Sequence, residues 1–181
     1  FAFRHSPQNL VVMFTAHYDH LGSGEIKSLE ITKKGIHPGA DDNASGVAVM
    51  LELARRLAKL DSLPFNVMFA ALSGHESGLW GAKAFIEEAK PMTNKGNLRM
   101  VVNLDMVGRL DDLAPTLRLS RCPGVNVNPL LAENAGIKVR LDEEGETVND
   151  YTAFCDAGYQ AISITTGLHS DYHRIGDTPD K

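Results

Sequence analysis

A chain of 181 residues, 43% hydrophobic and 23% charged, can bury one substantial core and is too short for two comfortable ones. A net charge of −5 gives no basic footprint, so no nucleic-acid partner is expected. No run approaches the ~20 apolar residues of a membrane span, which excludes a helical span as well.

One domain over residues 1–181 is expected, cut at both ends. The opening Phe1-Ala2-Phe3-Arg4-His5 lacks an initiator and the basic start and apolar run of a signal peptide. Gly176-Asp177-Thr178-Pro179-Asp180-Lys181 reads as a helix start with no helix behind it. Cys122 and Cys155 leave two readings open, a disulfide or two quiet thiols.

In chain order, Leu10 to Ala16 is a continuous apolar run that suits a strand buried on both faces. It delivers His17-Tyr18-Asp19-His20 to its C-terminal end, where open α/β sheets place their ligands. Residues 22–40 read as a surface excursion, and Pro38 to Gly46 as a short acidic loop before a helix. That helix is expected from about Ala44 to Leu60, capped by Asn43, with Val47, Met50, Leu51, Ala54 and Leu57 on its inner face. Phe65 to Leu72 is a second strand, ending in Ser73-Gly74-His75-Glu76-Ser77-Gly78, and Leu79 to Ala89 a second helix. Further strands are expected at 99–106, 116–120, 138–141 and 160–165, with short helices at 128–135 and 150–156. Strands alternating with helices predict an α/β fold, a three-layer sandwich around a largely parallel sheet.

Five segments carry a His, Asp or Glu where a strand or its loop turns: His17, Asp41, Glu76, Asp105 and His173. Two imidazoles and three carboxylates suit two zinc ions. Each would take one His, one carboxylate and a share of a bridging Asp, with a position left for water.

His17-Tyr18-Asp19-His20-Leu21-Gly22, Gly39-Ala40-Asp41-Asp42-Asn43-Ala44-Ser45-Gly46, Ser73-Gly74-His75-Glu76-Ser77-Gly78-Leu79, Asn103-Leu104-Asp105-Met106 and Asp171-Tyr172-His173 with Asp177-Thr178-Pro179-Asp180 follow one another along nearly the whole chain. This set resembles the motifs of the co-catalytic dizinc aminopeptidases of the bacterial leucyl aminopeptidase type. Their relatives include glutamate carboxypeptidase-like and transferrin-receptor-like domains. The resemblance implies a mixed sheet flanked by helices, two zinc ions, and removal of N-terminal residues from peptides with a free N-terminus. It favours a secreted or periplasmic location.

Carried across, His17 would bind one zinc with Asp19 as the outer partner that fixes its tautomer. Asp41 would bridge the two cations, with the peptide to Asp42 cis. Glu76 and Asp105 would each bind one metal, and His173 would complete the second site. His5, His20, His37 and His169 match no ligand position and are assigned to surface or packing roles.

The pattern breaks at His75. The family normally has a Glu there, which takes a proton from the bridging water and passes it to the leaving amine. Three readings stand open: His75 as the base, a metal-binding relative with weak or no peptidase activity, or an altered substrate class. Asn149-Asp150-Tyr151 also departs from the usual Ser-Asp-His, and Tyr151 or Tyr172 could donate to an oxyanion. The expected function is a zinc-dependent metallopeptidase, an aminopeptidase. A non-catalytic binding module and a glutaminyl-cyclase-like acyltransferase are the alternatives.

Overall fold

The computed structural model describes residues 2–4, 9–24, 27–88, 97–131, 136–142 and 149–181. Its strands are β1 (Ala2–Arg4), β2 (Val11–His17), β3 (Asn66–Leu72), β4 (Leu98–Leu104), β5 (Thr116–Arg121), β6 (Lys138–Leu141) and β7 (Ala161–Thr165). They form one sheet in the order β1-β3-β2-β4-β7-β5-β6. The four central strands β3, β2, β4 and β7 run parallel. β1 pairs antiparallel with β3, and β5 pairs antiparallel with β7 while running parallel to β6. The expected mixed, largely parallel sheet is therefore present.

Among the described residues three helices cover it: α1 (Gly46–Leu57), α2 (Trp80–Glu88) and α3 (Asp150–Asp156). Alternation along β2 sorts its residues to the two faces. Val11 and Met13 join a large core with Phe85 of α2 and Phe154 of α3, whereas Phe14 and Ala16 join a smaller one with Met50 of α1. Cys122, one residue past β5, is disulfide-bonded to Cys155 of α3. This resolves the choice that the sequence left open and ties α3 to the sheet.

Two elements differ most from expectation, and α1 also ends early, at Leu57. α1 starts two residues late, because Ala40–Ser45 forms an irregular turn that is non-helical at Asp42 and Asn43. Asn43 still serves the helix start, since its Oδ1 accepts from the Gly46 N–H at 3.1 Å. Gly46 lets that turn dock on the end of β4, where a Cβ would lie 2.5 Å from the Leu104 carbonyl oxygen. This docking sets the helix phase: Met50 is buried and Leu53 packs inward, while Leu51 is 62% exposed instead of inward-facing. The second difference is at 128–135, where a single tight turn, Asn128–Leu130, is seen. Residues 132–135, Ala89 and His5 lie outside the described residues.

Because β2, β3, β4 and β7 are parallel, the segments that follow them meet at one edge of the sheet. Those segments carry His17 to His20, Ser73 to Glu76, Asp105, and Gly167 to His173. Among the described residues no helix is long and apolar enough to cross a membrane.

Candidate metal centre

His17, the last residue of β2, is fully buried. Its Nδ1 lies 3.0 Å from the main-chain oxygen of Asp19, so that nitrogen carries the proton and Nε2 is left with its lone pair. The tautomer is thus fixed by Asp19, but through its carbonyl. Its carboxylate, 3.7 Å from the ring, is bonded instead to the backbone N–H groups of His75 and Glu76, each at 3.1 Å.

His17 Nε2 faces Asp42 Oδ1 at 3.3 Å and Asp105 Oδ1 at 3.4 Å. On the other side, His173 gives its Nδ1 to the Lys27 carbonyl at 3.0 Å. Its Nε2 faces Asp42 Oδ2 and Glu76 Oε1, both at 3.3 Å. The carboxylate between the two imidazoles is therefore that of Asp42. Asp41, the expected bridge, points elsewhere: its Oδ1 accepts from the Gly108 N–H at 2.6 Å and its Oδ2 faces His169 Nε2 at 3.3 Å. The cis peptide likewise lies between Asp42 and Asn43, one residue later than expected. The buried Asp177 carboxylate holds the turn, accepting from the N–H of Asp41 and of Asp42 at 3.0–3.1 Å. Asn43 Nδ2 anchors it to the Leu104 carbonyl.

The donor set fits cations. In tetrahedral zinc sites, metal–ligand bonds of about 2.0–2.2 Å place neighbouring donor atoms about 3.3–3.5 Å apart. The separations above fall on that spacing. Moreover, His17 Nε2 and Glu76 Oε1 are buried with no hydrogen-bond partner among the described residues, as expected of atoms shaped for something else.

The charges agree. Burial opposes a proton on His17, yet the Asp105 and Asp42 carboxylates push its pKa up to about 11. His173, also against the effect of burial, is raised to about 9 by Asp42 and Glu76. Glu76 falls to about 2, because His173 and His20 outweigh its burial. Imidazolium protons thus play the part that cations would take, and a cation must displace them.

Beside this centre His75 stacks on His17, ring centroids 3.8 Å apart and 7° from parallel. Its Nδ1 meets Asp150 Oδ2 at 3.1 Å. Burial lowers the affinity of that ring for a proton, but Asp150 more than compensates, so its pKa lies above the ordinary imidazole value. Asp150 opens α3, which is capped by the Asn149 side chain accepting from the Tyr151 N–H. A buried line of hydrogen bonds runs from Thr15 to Asn103, Ser163 and Asn149, fixing that cap to three strands. The sequence reading assigned no role to Asp150. The signal was an acid at a helix start, too common to single out. Tyr151 is buried in the main core, whereas Tyr172 stacks on His173 and faces the cavity.

A cavity of about 520 Å³ opens over the centre, walled by Lys27, His75, Leu79, Met106, Leu168 and Tyr172. Lys27, Leu79, Met106 and His173 combine positive φ (54–65°) with a place in its lining. Such backbone strain clusters at ligand sites.

Residues 2–181 match peptidase family M28. A probable zinc metalloprotease of Leptosphaeria maculans is 37% identical over 208 aligned positions, covering 94% of this chain and 46% of that protein. In structure the chain is similar to BSAP, a zinc aminopeptidase from Bacillus subtilis, with TM-score 0.74 and 25% identity over 97% of this chain and 43% of that one. A Fimbriiglobus ruber glutaminyl cyclase shares the fold at TM-score 0.67 and 20% identity, covering 99% of this chain and 67% of that one. The chain spans less than half the length of the curated relatives it matches.

Proposed function

This chain belongs to peptidase family M28, and on that premise we propose that it is a zinc-dependent aminopeptidase working with two zinc ions. Asp42 would bridge them, with His17 and Asp105 completing one site and Glu76 and His173 the other. The observation that carries this reading is the placement of Asp42, whose two oxygens each lie 3.3 Å from a different imidazole Nε2. Bound cations would polarise the scissile carbonyl and acidify a water.

The chain's own contribution starts at His75. With Nδ1 engaged by Asp150, its Nε2 is free to take a proton from the attacking water and return it to the leaving amine. Asp150 keeps that tautomer and stabilises the imidazolium that forms. Asp19 holds the turn carrying both His75 and Glu76, so base and ligand keep a fixed distance.

The test is a peptide panel with free and blocked N-termini, assayed at known metal content. The expected result is two zinc ions per chain, chelator-sensitive hydrolysis of aminoacyl anilides, and little turnover of N-acetylated ones. A zinc-loaded protein silent on a broad panel would overturn the peptidase reading. Preferential release of C-terminal residues would make it a carboxypeptidase instead.

A further inference from the structure

His20 has no place in the ligand set above, yet its surroundings are those of a ligand. Its side chain is 9% exposed, and neither ring nitrogen has a hydrogen-bond partner among the described residues. Nδ1 lies 3.4 Å from Glu76 Oε1 and 3.7 Å from Asp42 Oδ2. Those are the same two oxygens that His173 Nε2 faces at 3.3 Å. The ring is held there: it meets the ring of His173 edge-on at 5.8 Å. At Gly39, whose φ is +64°, a Cβ would come within 2.7 Å of the His20 Cγ. A buried imidazole with both nitrogens unpaired costs free energy unless something else satisfies it.

We propose that His20 Nδ1 is the fourth protein ligand of the cation held by Asp42, Glu76 and His173. The proposal rests on the dizinc reading and extends it. Separations of 3.3, 3.3, 3.4 and 3.7 Å tie both imidazoles to the same two carboxylate oxygens, and His20 falls with Asp42 and Glu76 in one group of possible metal donors. The two poles of the centre then differ in kind. The His173 pole would have four protein donors, Asp42, Glu76, His173 and His20. The His17 pole would have three, His17, Asp42 and Asp105, and His75 stands beside it, offering an atom within 4.8 Å of those of His17 and Asp105.

Zinc K-edge X-ray absorption on the fully loaded protein counts imidazoles directly. The proposal requires three shared between two cations, and two would overturn it. Chelator competition provides the second readout. His20→Ala should weaken the second zinc by on the order of 100-fold or more, beyond what loss of an outer partner costs, and leave the first unchanged. His20→Asp should recover part of that loss by restoring a donor, and His37→Ala should alter neither site. If His20→Ala binds both zincs as tightly as the parent, His20 is not a ligand. If the parent itself binds only one zinc, the dizinc reading fails and this one with it. Should the variant fail to fold, the absorption count on the unaltered protein still decides.

Discussion

Asp41 and Asp42 are adjacent, chemically identical and at most 3% exposed, yet they belong to different worlds. Asp41 looks toward donors. The Gly108 N–H binds its Oδ1, and His169 turns a ring to its Oδ2. That ring accepts the Asp171 N–H at Nδ1, so the nitrogen facing Asp41 bears the hydrogen. Asp42 looks toward the ring nitrogens of His17, His173 and His20 and toward an oxygen of Glu76. Their proton affinities diverge accordingly. Burial raises the pKa of Asp41 in spite of its hydrogen bonds, whereas the imidazoles hold Asp42 well below the carboxylate range in spite of burial. A buried carboxylate ringed by N–H groups is part of the scaffold. One whose charge is held by imidazolium protons, beside a second carboxylate, is suited to cations in their place.

The largest effect should come from exchanging that difference for an amide. Asp42→Asn removes the charge and one of the two oxygens that face His17 and His173. The variant is expected to lose bound zinc and to drop in activity by more than the roughly 10–100-fold that an outer partner costs. Elemental analysis after dialysis is the check. Full zinc retention in Asp42→Asn, together with zinc loss in Asp41→Asn, would reverse the assignment.

Next in size is the proposed base, His75. His75→Gln keeps volume and polarity but cannot cycle a proton, so kcat should fall by about 10²–10⁴-fold with zinc content intact. Asp150→Asn should cost less, on the order of tenfold in kcat. It should also move the acid limb of the pH–rate profile to lower pH. The sign follows from the pair: Asp150 holds the His75 imidazole above its ordinary pKa, so without that carboxylate the ring stays neutral further into acid. An unmoved acid limb would separate His75 from the rate-determining proton transfer.

These cases mark what the linear order can carry. The apolar runs of β2, β3, β4 and β7, and the acids and imidazoles at their ends, are legible because each depends on a few neighbouring residues. Which of two adjacent aspartates turns inward is not. That choice depends on Asp177, 135 residues away, which grips both backbone N–H groups of the turn. Nor is the Asp150–His75 pair legible, being 75 residues apart and assembled by the sheet. Asp19 partners His17 as expected, but which of its oxygens does so is not legible, because its carbonyl and its carboxylate both reach the site and the fold decides which one meets the ring. Leu51 fell on the wrong face because the approach of Gly46 to β4 rotates α1.

The smallest effect on turnover should come from Asp41, which is why it is the sharpest control. Asp41→Asn keeps an oxygen for the Gly108 N–H and removes a charge that burial disfavours, so stability should shift by no more than about 1 kcal/mol. Asp41→Ala leaves that N–H without an acceptor and takes away the charge that faces His169 at 3.3 Å, and should cost about 1–3 kcal/mol in denaturant unfolding. Both variants should retain zinc, because the Asp42 backbone stays gripped by Asp177, itself paired with Arg109 at 3.2 Å. A stability loss without a metal loss places Asp41 in the scaffold. A parallel loss of zinc in Asp41→Asn would mean that the two carboxylates act as one unit, and the distinction drawn from their surroundings would fail.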